Sequence, residues 1–389
     1  MSAHIPITLL TGFLGAGKTT LLNRVMQSPS FSDTLVIINE FGSVGLDHDL
    51  IAKSNEDDTI IEMSSGCLCC TIKGDLQKTL KEAPERYKRD GKKSFERVII
   101  ETTGLADPAP IIQTIMSDEQ LIDFYRLAEI ITLVDAVNGE ATLDAQPEAR
   151  KQIAVADTLL ISKTDIADEA QTAALLERVR ALNPAASVSR VVDQLDDPGT
   201  LFGRGSFNPE VKTDQVLEWL KEEAESDHDH HHHHHHDDHG HNHGHDHAHD
   251  HSHDHSHDHD HHHHDHDHHH DVNRHDDRIT SVSLTFDEPM PARVFDDWFG
   301  LLTQLNGVNM LRVKGLLNLE EMDEPLVIHG VQHIWHPPAI LSDWPSDDRR
   351  SRIVFILRDM EESDLRKALD FVAERYKSAQ LKGELAAAV

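Results

Sequence analysis

The sequence predicts an α/β protein with a mostly parallel sheet, followed by a smaller α+β domain. Short apolar runs alternate with helical stretches up to Arg190, as parallel strands connected by helices do. A tract of His and Asp then interrupts the chain. Beyond this tract the strands and helices follow one another in a different order, which indicates a second folding pattern.

Five compact apolar runs predict the buried strands of the first domain. They are Ile5 to Leu10, Thr34 to Ile38, Arg97 to Ile100, Ile130 to Val134 and Thr158 to Ile161. A helix is predicted from Thr19 to Met26. Because ligands of parallel sheets bind beyond the carboxyl ends of the strands, we expect the functional residues there.

The chain is predicted to divide into four segments: residues 1–205, a connecting helix or linker at 206–226, the His/Asp tract at 227–271, and a C-terminal domain at 272–389. The predicted elements outside the first domain are strands at Ile279 to Phe286, Met310 to Leu319, Leu326 to Ile334 and Arg352 to Leu357, and helices at Thr213 to Ala224, Pro291 to Leu305 and Ser363 to Lys377.

Composition excludes several classes of function. The formal net charge is −33, which disfavours nucleic acid as a partner because phosphate backbones require basic surfaces. No apolar run reaches the length of a membrane span and the N-terminus lacks signal-peptide features, so we expect a cytoplasmic protein without a membrane partner. The three cysteines are clustered at Cys67, Cys69 and Cys70, which favours metal ligation over structural disulfides.

The first motif lies directly after the first predicted strand. Gly12-Phe13-Leu14-Gly15-Ala16-Gly17-Lys18-Thr19, followed by Thr20, matches the phosphate-binding P-loop and opens a helix. Backbone N–H groups of such a loop approach the phosphates at the positive end of the helix. Lys18 is expected to reach the β and γ phosphates, and the Thr19 hydroxyl to ligate Mg²⁺. The first domain is therefore predicted to be a P-loop NTPase.

A second motif, Glu101-Thr102-Thr103-Gly104, begins at the end of a predicted strand. P-loop proteins place an acidic residue near Mg²⁺ and a glycine near the γ-phosphate at this point, so Glu101 joins Lys18 and Thr19 as a predicted catalytic residue. Contact of Glu101 with the metal through a bound water is favoured over direct ligation. A solvated residue at the end of a strand is the alternative for Glu101.

The base is predicted from Ser162-Lys163-Thr164-Asp165, which resembles the guanine-reading segment of GTPases. Asp165 would accept hydrogen bonds from the N1–H and the amino group of guanine, donors that adenine lacks at these positions. Lys163 would lie across the ring. GTP is therefore favoured over ATP.

The cysteine cluster predicts a site for a transition metal. Three thiolates suit Zn²⁺ or Cu(I), and Co²⁺ less exclusively, and they leave a fourth position for water, for a partner side chain or for a carboxylate such as Glu40. Glu40 could instead face Mg²⁺ or remain a solvated loop residue. The alternatives for the cysteines are buried apolar residues or a redox pair.

Residues 227–271 contain 27 His and 12 Asp, with histidines from His228 to His270. Such a tract buries too little apolar surface to offset its ordering entropy, so we predict it to be disordered. Neutral imidazoles bind Zn²⁺, Ni²⁺, Co²⁺ or Cu²⁺, which favours a metal reservoir of low selectivity. A solubilising linker is the alternative.

A further group of histidines is predicted in the C-terminal domain. Period-2 alternation places His329, Val331 and His333 on one face of a single strand. They could form a docking or metal site, although ordinary hydrogen-bonded histidines are favoured.

Taken together, these motifs resemble those of the CobW family of metallochaperone GTPases, also called zinc-regulated GTPase metalloprotein activators. The segments that carry the resemblance are Gly12 to Thr19, Asn39 to Asp47, Gly66 to Cys70, Glu101 to Pro108, Ser162 to Asp165, Arg312 to Gly315 and His329 to His333. The resemblance implies a CobW-type C-terminal domain and GTP hydrolysis coupled to transfer of a metal, with zinc favoured over cobalt or nickel. The cysteines would hold the cargo metal, and a client metalloprotein would receive it. A homodimer is one open alternative for the oligomeric state.

Two other functions remain open from the sequence. One is a cobalt or nickel insertase for a cofactor pathway or an enzyme, and the other is a metal buffer based on the His tract. No residue clearly has a water-positioning role, so slow intrinsic hydrolysis is expected.

Overall fold

The computed structural model describes residues 4–31, 33–40, 60–64, 70–89, 92–93, 95–194, 202 and 279–381. The N-terminal part of these residues forms a parallel sheet with helices, and the C-terminal part forms an antiparallel sheet with helices. Both parts belong to one compact unit. The predicted fold class, a P-loop type α/β domain with a smaller α+β domain, is confirmed.

The elements of the N-terminal part follow the alternating order that the sequence predicts. They are β1 (Ile5–Gly12), α1 (Lys18–Met26), a short 3-10 helix (Pro29–Phe31), β2 (Thr34–Glu40), β3 (Ile60–Ser64), α2 (Cys70–Arg86), β4 (Lys88–Arg89), β5 (Lys92–Lys93), β6 (Arg97–Glu101), α3 (Ala109–Ser117), α4 (Glu119–Ile122), β7 (Tyr125–Asp135), α5 (Gly139–Ala145), α6 (Pro147–Ala154), β8 (Thr158–Ser162), α7 (Glu169–Leu182), β9 (Ser187–Arg190) and α8 (Val191–Gln194).

The main sheet has the strand order β3-β2-β6-β1-β7-β8-β9, and its neighbouring strands are all parallel. Successive side chains of a strand point to opposite faces, so Leu9 and Leu10 of β1 enter different cores. Both are fully buried, as expected for a strand covered by helices on both sides. In this parallel arrangement the carboxyl ends of β1, β6, β7 and β8 meet at one edge.

The C-terminal part is built around a fully buried tryptophan, Trp298. Its elements are β10 (Ile279–Phe286), α9 (Ala292–Asn306), β11 (Met310–Leu317), β12 (Leu326–Val331), β13 (Ile334–Trp335), β14 (Ala339–Ile340), β15 (Ser351–Arg358) and α10 (Glu362–Leu381). The sheet order is β10-β15-β11-β12-β13, with β14 paired to β12, and these pairings are antiparallel.

One predicted strand of this part is wrong. The sequence predicts a single strand from Leu326 to Ile334, but the chain reverses at Gln332, which has a left-handed φ of 53°. β12 therefore ends at Val331 and pairs with β13 as a hairpin. A left-handed glutamine carries no turn signal of the kind that Gly or Asn provides, so the pattern alone misses it.

The sequence also leaves β3, α2 and β9 unpredicted, since these elements lie in stretches without a long apolar run. The predicted helix Thr213 to Ala224 and the tract 227–271 lie outside the described residues. The predicted domain boundaries at 205 and 272 also fall there and stay predictions. Of the helices that the structure describes, none has the length and apolar character needed to cross a membrane.

The two parts share a core and a buried ionic cluster. Leu311, Val331 and Ile334 of the C-terminal part lie in the same apolar cluster as Ile111 of α3. The Arg312 guanidinium of β11 donates a hydrogen bond to Asp157, which precedes β8. Both residues are buried, so this ion pair is sealed between the two parts.

Candidate functional site

The predicted P-loop connects β1 to α1 at the carboxyl edge of the parallel sheet. Gly17 precedes the helix with a φ of 94°, a conformation that side chains with a Cβ rarely adopt, which explains a glycine there. Lys18 is buried, and its Nζ donates hydrogen bonds to the carbonyl oxygens of Gly12 at 2.8 Å and Phe13 at 3.3 Å. Gly15 and Thr20 are exposed, whereas Ala16 is buried.

Glu101 ends β6, the strand that pairs with β1 next to the P-loop. The Thr19 hydroxyl donates a hydrogen bond of 2.9 Å to Oε1 of Glu101. Glu101 is only 5% exposed, so the alternative of a solvated strand-end residue does not describe it. A hydroxyl and a carboxylate in contact form an oxygen donor set of the kind that suits Mg²⁺.

The predicted guanine-reading segment follows β8 at the same edge. The Ser162 hydroxyl donates a hydrogen bond of 2.7 Å to the carbonyl oxygen of Ala16 and so ties this segment to the P-loop. Lys163 has a left-handed φ of 58°, and the carboxylate of Asp165 is exposed. The carboxylate predicted to read the base is therefore accessible from solvent.

Asp135, at the end of β7, is a residue of this site that the sequence marks only as a strand end. Its Oδ2 accepts a 2.7 Å hydrogen bond from Nζ of Lys163. Burial by itself raises the pKa of Asp135, but hydrogen bonds from Lys163, Asn138 and the N–H of Val137 outweigh it and hold the pKa below its ordinary value. The carboxylate is therefore charged at neutral pH and holds the Lys163 side chain in place.

The loop after β6 lies against the P-loop. A Cβ added to Gly104 would lie 2.5 Å from the backbone nitrogen of Leu14, so only glycine fits at this approach. The carbonyl oxygens of Gly104 and Ala106 each accept a hydrogen bond from Nε2 of Gln152 in α6. Gln152 also borders a cavity of about 190 Å³ with Leu14 and Lys163. No sequence motif marks Gln152.

The predicted metal ligands lie mostly outside the described residues. Cys67 and Cys69 lie outside them, as do the histidines from His228 to His270, and Cys70 is described only as the first residue of α2. Glu40 ends β2 and pairs in register with Ser64, the last residue of β3. The strand that precedes the cysteine segment thus ends beside the carboxyl end of β2.

The predicted histidine face of the C-terminal part is not formed. His329 lies in β12, whereas His333 lies in the turn of the hairpin, where its Nε2 is 3.3 Å from Nε2 of Gln113 in α3. Within the described ranges, no group of three or more His, Cys, Asp or Glu side chains is arranged to hold a metal ion.

The parallel fold and the motifs gathered at its carboxyl edge are those of the P-loop GTPases. Two family models match the chain: the CobW/HypB/UreG nucleotide-binding domain over residues 6–190, and the cobalamin synthesis protein CobW C-terminal domain over residues 279–373. The chain belongs to the CobW family.

Curated relatives are similar over part of their length. The zinc chaperone YjiA of Escherichia coli is 40% identical over 203 residues, which cover 52% of this chain and 62% of the relative. The zinc-regulated GTPase metalloprotein activator 1 of Schizosaccharomyces pombe is 31% identical over 221 residues, covering 55% of this chain and 52% of the relative. The chain thus spans between half and two thirds of these relatives.

A solved structure is similar over a larger share. The crystal structure of Zn(II)-bound YjiA GTPase from E. coli has a TM-score of 0.61 and 27% sequence identity, and the match covers 95% of this chain and 99% of that one. The similarity extends beyond the nucleotide-binding part.

Proposed function

We propose that this protein hydrolyses GTP and uses the nucleotide cycle to deliver zinc to a client metalloprotein. The observation that carries the proposal is the convergence of three segments at one sheet edge: the P-loop, Glu101 with Gly104, and Ser162 to Asp165. The names of YjiA, a zinc chaperone, and of the fission yeast activator support the same reading.

The nucleotide chemistry is assigned to residues in contact. Lys18 would exchange its bonds to the loop carbonyls for the β and γ phosphates, because a charged phosphate is the stronger acceptor. Thr19 and Glu101 would hold Mg²⁺, which supplies positive charge to the phosphates. Asp165 would read guanine while Asp135 holds Lys163 beneath the ring.

The metal cargo is assigned to Cys67, Cys69 and Cys70, with Glu40 as a further ligand. The register of β2 and β3 supports this assignment, since Glu40 pairs with Ser64, only three residues before Cys67. β2 also pairs with β6, which ends at Glu101. A change at the γ-phosphate would therefore reach the cysteine segment through neighbouring strand ends. By thermodynamic linkage, metal binding would change nucleotide affinity by the same factor as the nucleotide changes metal affinity.

The assignment of the base is tested with Asp165→Asn. This change replaces the acceptor for the guanine amino group by an N–H donor, which suits the carbonyl oxygen that xanthine has at that position. Affinity for GTP should therefore fall on the order of 100-fold and affinity for xanthosine triphosphate should rise. Fluorescent nucleotide titration measures both, and Asp123→Asn, an exposed aspartate outside the site, is the matched control. Unchanged GTP affinity would exclude Asp165 as the base reader.

The assignment of the cargo is tested by replacing the three cysteines with serine. Zn²⁺ titration with Mg²⁺ and a non-hydrolysable GTP analogue should lose one tight site while GTP affinity stays the same, since serine does not supply thiolates. Deletion of residues 227–271 should keep the tight site and remove weaker ones. Tight zinc binding that survives the serine changes would contradict the cargo assignment.

The identity of the metal is tested by competition in the same assay. Thiolate ligands predict that Zn²⁺ displaces Co²⁺ and Ni²⁺ from the tight site when the GTP analogue is bound. Preference for Co²⁺ or Ni²⁺ there would favour an insertase for those metals. Loss of all metal binding when residues 227–271 are deleted would favour a metal buffer.

A further inference from the structure

A buried glutamine outside every sequence motif holds the loop that follows β6. Gln152 is 1% exposed, and its Nε2 lies 3.1 Å from the carbonyl oxygen of Gly104 and 3.1 Å from that of Ala106. The two hydrogens of the amide are thus both donated to this loop. Its Oε1 has no hydrogen-bond partner among the described residues. Among these residues, every side-chain hydrogen bond of Gln152 therefore goes to the loop.

The sheet, rather than the loop, fixes the position of Gln152. The residue lies in α6, and its own carbonyl oxygen accepts a hydrogen bond of 2.8 Å from the Thr132 hydroxyl. Thr132 is 1% exposed and lies in β7, which pairs with β1. Gln152 is therefore a rigid support to which the loop is attached.

The other side of the loop lies against the P-loop. Gly104 comes so close that a Cβ would be 2.5 Å from the nitrogen and 2.6 Å from the Cα of Leu14. Leu105 is 51% exposed, so burial of its side chain does not hold the loop. The peptide of Gly104 is instead held between the backbone of Leu14 and the amide of Gln152.

This clamp determines the direction of backbone donors. Peptide bonds here are trans, so the N–H of Leu105 points opposite to the carbonyl of Gly104 and away from Gln152. If the carbonyl lost its donor, the peptide plane could rotate and the N–H would turn with it. Preorganised N–H groups stabilise charge more effectively than mobile ones because they cost no reorganisation.

We propose that Gln152 is a positioning residue, whose amide keeps the Gly104 loop in the orientation that meets the γ-phosphate of GTP. The inference rests on the proposed GTP hydrolysis. Gln152 acts through the loop and does not touch the nucleotide. Its effect is therefore specific to the triphosphate, because GDP lacks the phosphate that this loop would meet.

The test is Gln152→Met, which has a similar volume and no donor. We expect kcat for GTP hydrolysis to fall about tenfold and affinity for a non-hydrolysable GTP analogue to fall several-fold, while GDP affinity changes less than about twofold. Gln171→Met, an exposed glutamine in α7, is the matched control and should leave all three unchanged. Equal losses for GDP and the GTP analogue, or no loss for either, would overturn the proposal.

A second variant keeps the test valid if methionine prevents folding. In Gln152→Glu a protonated carboxyl has one donor for the loop, whereas the ionised form has none and repels both carbonyls. Burial raises the pKa of such a carboxyl, so hydrolysis relative to the native protein should be higher at pH 6 than at pH 8. A ratio of variant to native hydrolysis that stays constant from pH 6 to pH 8 would contradict the positioning role of Gln152.

The proposed function and the role of Gln152 fail in different ways. Absence of GTP hydrolysis by the native protein would contradict the proposed activity, but the affinities for the GTP analogue and GDP would still test Gln152. Normal hydrolysis by both Gln152 variants would overturn the positioning role and leave the activity intact.

Discussion

The ion pair between Asp157 and Arg312 joins the two parts of the protein, and replacing Arg312 by methionine should be strongly destabilising. Arg312 is 2% exposed and Asp157 is 8% exposed. Oδ2 of Asp157 accepts a 3.0 Å hydrogen bond from the N–H of Ile130, which holds the carboxylate in place after the arginine is removed. The substitution therefore leaves a buried charge with reduced compensation.

The size of the effect follows from what remains around Asp157. Breaking a buried pair by removing one partner typically costs 3–5 kcal/mol, or about 3 kcal/mol here because Nζ of Lys314 stays 3.7 Å from the carboxylate. Nε and Nη1 of Arg312 have no hydrogen-bond partner among the described residues, so the native pair is incompletely satisfied. Removing both charges, as in Asp157→Asn with Arg312→Met, should therefore cost less than the sum of the single changes, by about 2 kcal/mol.

The assay is urea unfolding of the full chain, followed by tryptophan fluorescence and far-UV circular dichroism. Coincident transitions of the two probes allow the free energies of unfolding to be compared in a double-mutant cycle. Arg366→Met is the matched control, because Arg366 forms an ion pair with Glu362 in which both side chains are about half exposed. That change should cost about 0.5 kcal/mol or less.

Two results would refute this reasoning. One is a loss for Arg312→Met no larger than that for Arg366→Met. The other is a double variant whose loss equals the sum of the single losses, since this would mean that Asp157 and Arg312 do not interact energetically.

Three further predictions concern single residues. Gly104→Ala would place a Cβ 2.5 Å from the backbone of Leu14, so GTP hydrolysis should fall at least about tenfold with GDP affinity retained, as measured by steady-state kinetics and nucleotide titration. Asp135→Asn removes the charged partner of Lys163, so GTP affinity at neutral pH should fall about threefold to tenfold in the same titration, and a loss that appears only above neutral pH would contradict the charged state assigned to Asp135. Burial, aided by nearby Arg312 and opposed by Asp157, lowers the pKa of Lys314 from 10.5 to about 8. The unfolded chain then binds more protons between these values, so the contribution of Lys314 to stability rises with pH across this window, and Lys314→Met should flatten the measured slope.

Part of the site could be predicted because its chemistry is local in the chain. The P-loop from Gly12 to Thr19 needs only a strand before it and a helix after it, and both are visible as apolar patterns. Glu101 and Ser162 were placed correctly at strand ends for the same reason. Whether these residues bind nucleotide stays a prediction.

Other features could not be predicted because they depend on contacts between distant segments. Gln152 contacts a loop 48 residues away, and Asp157 contacts Arg312 across 155 residues. Gln and Asp occur in many helices and loops without such partners, so their residue types carry no signal. The hairpin turn at Gln332 was missed because its left-handed backbone is imposed by strand pairing on both sides.

The sequence by itself determined the class of fold, the P-loop motif and the clustering of the cysteines, and it predicted a base-reading segment, because each of these depends on patterns of neighbouring residues. Only the tertiary structure decided that Glu101 contacts Thr19, that Asp135 holds Lys163 and that Gln152 supports the Gly104 loop. The physical reason is that hydrogen bonds and buried charges require particular distances, and such distances between separated segments arise only when the chain has folded.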